Sequence, residues 1–139
     1  MSAPRRTIND LLDEARERLD RVDPEQAREA VRSGDALLVD IRSDSQRAHD
    51  GTVPDALFHP RNVLEWRLDP ESEQPDPALT EHMQDRRLIL MCNEGYASSL
   101  AAATAQELGY ANATDLDGGF QAWREAGLPV EPAPDGDDR

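Results

Sequence analysis

Two short, uninterrupted apolar runs constrain this chain most: Ala36-Leu37-Leu38-Val39 and Leu88-Ile89-Leu90-Met91. A strand with one wet face alternates apolar and polar residues, whereas a strand covered on both faces stays apolar throughout. Each run ends in residues that carry chemistry, Asp40-Ile41-Arg42 after the first and Cys92 after the second. Ala113 to Leu116 is a third candidate strand, and Leu19 to Val22 reads as a short edge strand or a linker.

Helical patterns separate these runs. Ile8, Leu11, Leu12, Ala15 and Leu19 recur at helical spacing behind a Thr7 cap, with Asp10 favourable to the helix dipole. Asp23-Pro24-Glu25-Gln26 starts a helix that runs to about Ser33, where Gly34 ends it. A polar mid-section, Ser43 to Arg61, turns at Gly51 and Pro54. Val63, Leu64, Trp66 and Leu68 suggest a short helix, and the acidic, proline-rich stretch Asp69 to Pro77 an exposed loop. Asp76-Pro77 begins another short helix ending near Gln84. An alanine-rich helix is expected from about Ser98 to Leu108, stopped by Gly109, and a last one from about Phe120 to Ala126, closed by Gly127 and Pro129. Alternating strands and helices predict an α/β domain with a parallel sheet. Ligands of such sheets bind at the C-terminal ends of the strands, which is where Cys92 falls.

The chain has 139 residues, enough for one domain with one core. Its formal charge of −14 argues against nucleic-acid and anionic-membrane partners. No apolar run approaches the ~20 residues of a membrane span, and the N-terminus lacks a signal-peptide pattern, so the expected compartment is the cytoplasm. One cysteine excludes an internal disulfide and argues against a cysteine-based zinc site. No metal and no cofactor are expected. Glu131 to Arg139 reads as a disordered acidic tail. The expected organisation is a helical extension over 1–19, a domain over 20–130 and the tail over 131–139.

The segment Cys92-Asn93-Glu94-Gly95-Tyr96-Ala97-Ser98-Ser99 reads as strand end, tight loop and helix start. Such a turn can aim several backbone N–H groups at one point, and the following helix adds its positive N-terminal end. Those donors favour the thiolate, the nucleophilic form of cysteine. Gly95 allows a backbone angle that other residues resist, and Ser98 and Ser99 can cap the helix or donate to the sulfur. A cysteine at a strand end can also be a small core residue; the glycine-containing loop favours the chemical reading. Tyrosine phosphatases and arsenate-reducing enzymes carry an Arg six residues after the nucleophile. That position is Ser98 here, which leaves a phosphate dianion without a bidentate partner.

The remaining motifs resemble the rhodanese (sulfurtransferase) family. Leu116-Asp117-Gly118-Gly119-Phe120-Gln121-Ala122-Trp123 with Gly127-Leu128-Pro129-Val130 looks like its C-terminal signature. Gly109-Tyr110, the Asp40-Ile41-Arg42 triplet and the turn Gly51-Thr52-Val53-Pro54-Asp55-Ala56 fit in order over about residues 20 to 130. The resemblance implies a three-layer α/β domain whose central, mostly parallel sheet has about five strands, with helices on both faces. It implies sulfurtransferase activity through a Cys92 persulfide, with the backbone of Asn93, Glu94, Gly95, Tyr96, Ala97 and Ser98 cradling the outer sulfur. A small-molecule or protein persulfide would be the donor, and a thiol or cyanide the acceptor. The common family loop is Cys-Arg-x-Gly-x-Arg-Ser; here Asn93 and Ala97 replace the arginines and Glu94 adds a negative charge. Thiosulfate is therefore expected to be a poor donor. Gln46, Thr52 and Asp55 also depart from the family pattern.

Asp40 and Arg42 are expected to support the loop, Asp40 capping a turn and Arg42 tied to it; a catalytic pair is the alternative. Arg61 is a candidate contact for an anionic donor, with a plain surface role as the alternative. His49, His59 and His82 lack metal-ligand spacing. Trp66 and Trp123 read as packing residues, and the acidic loop as a solvated face able to dock a basic protein partner. The rival to a sulfurtransferase is a catalytically weak rhodanese-like module that binds or regulates another protein.

Overall fold

Helix starts are written into this chain as reciprocal side-chain caps. The structure, a computed structural model, describes residues 4–134. Thr7 and Asp10 form a capping box at the head of α1 (Ile8–Glu17), and Asp23 and Gln26 form another at α2 (Pro24–Arg32). Strand β1 (Ala36–Asp40) follows Gly34 as expected. The polar mid-section holds two elements that were not expected. Ser43 and Gln46 close a third capping box on α3 (Asp44–Asp50), and β2 (Leu57–Phe58) is a two-residue strand. Beyond them come α4 (Leu64–Leu68), α5 (Pro77–Thr80), β3 (Arg87–Met91), α6 (Ala97–Glu107), β4 (Thr114–Asp115) and α7 (Gly119–Glu125). The helix at Asp76-Pro77 stops at Thr80, short of Gln84.

All pairings between the strands are parallel, in the order β2-β1-β3-β4. Asp40 and Met91 are register partners, so the residues after β1 and β3 emerge side by side. The sheet has four strands rather than about five. Where a fifth would run, Val22 makes a single parallel bridge to Leu116. The reason is local: Asp23 already caps α2, and Pro24, which has no N–H to give a ladder, is its first residue.

The strand residues alternate between two cores, as a sheet covered on both faces requires. Val39, Leu88, Leu90 and Cys92 pack with Leu64, Leu68, Leu79 and the alanines of α6. Leu38, Ile89 and Met91 pack with Ala27, Phe120 and Trp123 from α2 and α7. Helix α1 lies on α6, with Leu12 and Ala15 buried. Trp66 is exposed, unlike Trp123. Glu131 exchanges backbone hydrogen bonds with Thr52, so the chain is still paired at the start of the acidic stretch. The rest of the expected tail, from residue 135 onward, lies outside the described residues. No helix among the described residues is long and apolar enough to cross a membrane.

Under the C-terminal end of β1, the buried Asp40 carboxylate accepts from Arg42 Nε at 3.0 Å and Nη2 at 2.8 Å, and from Arg47 Nε at 3.3 Å. The Arg42 and Arg47 guanidiniums also lie over the rings of Phe120 and Phe58, at 4.0 and 3.7 Å. Asp40 and Arg42 are thus bound to each other, and Asp40 also accepts from the Arg42 backbone N–H at 3.1 Å. Replacing the carboxylate, Asp40→Asn, leaves two buried cations without a counter-charge. It should lower unfolding free energy by about 3–5 kcal/mol, read by urea denaturation; a loss below about 1 kcal/mol would contradict this account.

Candidate active site

Cys92 is the first residue after β3, and its thiol faces the turn that leads into α6. The backbone N–H groups of Gly95 and Ser98 donate to Sγ at 3.1 and 3.3 Å. The thiol donates to Ser98 Oγ at 3.2 Å, and that hydroxyl donates to Asp115 Oδ2 at 2.7 Å. Ser99 does not touch the sulfur. Its hydroxyl donates to Asp115 at 2.8 Å.

Two close approaches hold the turn. Gly95 has φ +91, and a side chain there would press on Gly118 N at 2.8 Å. Gly119 lies so near the loop that a Cβ would meet the Cys92 carbonyl oxygen at 2.5 Å. That closeness lets the start of α7 bind the loop: Phe120 N donates to the Cys92 carbonyl at 2.9 Å, and Gln121 N to the Asn93 carbonyl at 3.1 Å. The Asp117-Gly118-Gly119 turn thus brings the start of α7 against the cysteine loop.

Cys92 is 8% exposed and lines an open pocket of about 250 Å³ with Ser43, Gln46, Asn93, Glu94, Tyr96 and Ala97, among others. The two charged residues on its lining are Arg42, committed to Asp40, and Glu94, which is exposed. The N–H groups of Glu94, Tyr96 and Ala97 have no acceptor among the described residues. The pocket is thus lined by loop residues whose peptide N–H groups are unpaired, with a carboxylate at its rim.

Of the residues singled out from sequence, Cys92 and Asn93 to Ser98 come together as one loop, with Asp40 and Arg42 beneath. Arg61 does not join them. It pairs with Glu65 one helical turn on, and is not among the residues lining the pocket. His49, His59 and His82 each pair with a neighbouring aspartate, Asp50, Asp76 and Asp85. Among the described residues no three His, Cys, Asp or Glu side chains gather as metal ligands. Sequence reasoning missed Asp115, Arg16 and Arg21. Asp115 is fully buried, and Arg21 grips both of its oxygens, Nε at 2.8 Å and Nη2 at 3.1 Å.

Fold and site together define a parallel-sheet domain that presents one cysteine in a backbone cradle at a strand end. The rhodanese-like domain model matches residues 23–126, and the chain belongs to that family. It is 37% identical to a sulfurtransferase from Allochromatium vinosum, over 73% of this chain and 83% of the relative. It is 30% identical to the thiosulfate sulfurtransferase GlpE of Actinobacillus pleuropneumoniae, over 81% and 93%. Among solved structures, the human single-domain sulfurtransferase TSTD1 superposes with a TM-score of 0.63 at 29% identity, covering 76% of this chain and 95% of that one. A Rhodopseudomonas palustris protein of unknown function, described as a possible tyrosine phosphatase, superposes with a TM-score of 0.83 at 34% identity, covering 94% and 98%.

The cradle depends on the Gly95 backbone. Gly95→Ala places a Cβ at a positive φ and against Gly118, a strain of about 1–3 kcal/mol. Iodoacetamide should then alkylate Cys92 about tenfold more slowly in a protein that remains folded by circular dichroism. Unchanged kinetics would show that the loop geometry does not control the thiol.

Proposed function

We propose that the protein is a sulfurtransferase that carries sulfane sulfur as a persulfide on Cys92. The observation that carries this reading is the pair of N–H donors on Sγ, with further loop N–H groups left over for a second sulfur. The Cys92 thiolate attacks the outer sulfur of a donor. A new S–S bond forms at Cys92, and the donor's own sulfur–sulfur bond breaks, its electron pair leaving with sulfite or with a thiolate. An acceptor thiolate or cyanide then attacks the outer sulfur, and Cys92 leaves as thiolate. The cradle holds the negative charge of the persulfide between the two steps. A lone thiol in this role suits a reducing cytoplasm.

The rim decides the donor. Glu94 stands where a doubly charged donor would enter, and neither charged lining residue offers it a free cation. A singly charged or protein-bound persulfide fits this cradle better than thiosulfate. Phosphate-ester chemistry is disfavoured by Ser98, which supplies no cationic grip and is spent on Cys92 and Asp115. A second reading, a module that binds a basic protein, draws on another feature. A surface cavity of about 500 Å³ is lined by Glu65, Asp69, Glu71 and Glu73 around the exposed Trp66.

The test is intact-mass spectrometry after incubation with thiosulfate or with a desulfurase that makes persulfide. A gain of about 32 mass units, removed by reductant and absent in Cys92→Ser, is expected. No adduct from any donor would sink the carrier role and leave the binding module ahead. In the same assay Glu94→Gln should raise the second-order rate of loading from thiosulfate about threefold to tenfold, with little effect on a protein donor. An unchanged thiosulfate rate would remove Glu94 from donor selection.

A further inference from the structure

The cysteine loop is gripped from behind by two arginines that lie before the region matching the family. Arg16 is on α1 and Arg21 sits between α1 and α2, whereas the family match begins at residue 23. Arg16 Nη2 and Arg21 Nη2 both donate to the carbonyl oxygen of Gly95, at 2.8 and 2.9 Å. Arg16 Nε donates to Ser99 Oγ at 3.0 Å, and its guanidinium lies 5.6 Å from the Tyr96 ring centroid. Arg21 also holds both oxygens of Asp115, the carboxylate that fixes the Ser98 hydroxyl beside the sulfur.

The peptide plane gives this arrangement its leverage. A trans peptide sets its C=O and the following N–H in opposite directions. Two guanidiniums drawing the Gly95 carbonyl backward therefore turn the Tyr96 N–H away from them. Fixing that plane also limits rotation about Gly95, a residue with little intrinsic preference of its own, whose N–H is one of the two on Sγ. The charge is kept as well. Burial opposes ionisation of Arg21, but the hydrogen bond and charge of Asp115, helped by Asp117 and Cys92, hold its guanidinium above the ordinary arginine value.

We infer that Arg16 and Arg21 are positioning residues for Cys92. They lock the Gly95 peptide and, through Asp115, the Ser98 hydroxyl, so that residues 16–21 are part of the working site. The positive groups missing from the loop at Asn93 and Ala97 are replaced by guanidiniums behind it. These act on the cradle's geometry rather than on the incoming donor. Only the sulfur-loading readout below rests on the sulfurtransferase reading.

The test uses the full chain and the variants Arg21→Lys and Arg16→Gln. Lysine keeps the charge but its single ammonium cannot serve the Gly95 carbonyl and both Asp115 oxygens together. Melting temperature, the pH profile of Cys92 alkylation by iodoacetamide, and persulfide loading by mass are read in parallel. For Arg21→Lys, a profile moved to higher pH and alkylation at neutral pH slowed about tenfold are expected in a folded protein. Arg16→Gln should slow alkylation about threefold with the Asp115 pair intact, and it decides the matter if Arg21→Lys fails to fold. Alkylation profiles that superimpose on the parent protein's in the folded variants would overturn the inference. Slowed alkylation in the variants, together with a parent protein that never loads sulfur, would uphold the positioning role while sinking the carrier function.

Discussion

A carboxylate shut away from water must be fully hydrogen-bonded and charge-paired, or its burial is prohibitive. Asp115 meets that demand with four bonds: the hydroxyls of Ser98 and Ser99, and Nε and Nη2 of Arg21. Those donors come from the start of α6 and from the segment after α1, while Asp115 itself ends β4. One buried charge thus fastens sheet edge, cysteine loop and N-terminal segment to each other. Ser98 has a single hydroxyl proton to give. It goes to Asp115 while the thiol donates to Ser98, and is free to turn to the sulfur once the thiol has ionised, because Ser99 and Arg21 continue to satisfy the carboxylate.

The same economy governs charge around the site. A chain of net charge −14 keeps Arg42 and Arg47 under β1, paired with Asp40, and Arg16 and Arg21 behind the loop. None of these faces an entering donor as a free cation. What the pocket offers an anion is the ends of peptide dipoles, which are already in place and cost no reorganisation when one enters. What the rim offers is the Glu94 carboxylate. Under the proposed carrier role, retention of sulfur and discrimination among donors fall to different parts of the loop.

Much of this was legible in local sequence. The two apolar runs located β1 and β3, and the Gly-containing segment after the second located the cradle, because burial on both faces and a tight turn each leave a short-range mark. Helix α3 was marked too, by Ser43 and Gln46 in a capping box, but its polar composition hid the helical period. The count of about five strands came from the family resemblance; at Leu19 to Val22, an edge strand or a linker by its sequence, Pro24 leaves room for only one bridge. The Arg21–Asp115 pair was not legible: its members are 94 positions apart, and an arginine on an amphipathic segment has the same local signature whether it faces solvent or a buried carboxylate.

Helix α1 is the first helix of the described chain, fastened to α6 largely through Leu12 and Ala15. Helices with so small a buried face are among the first elements to open as a protein warms. Fraying here releases Arg16 from the Gly95 carbonyl while the sheet and both cores stay whole. Opening of α1 alone would thus loosen the cysteine loop in a domain that is otherwise still folded.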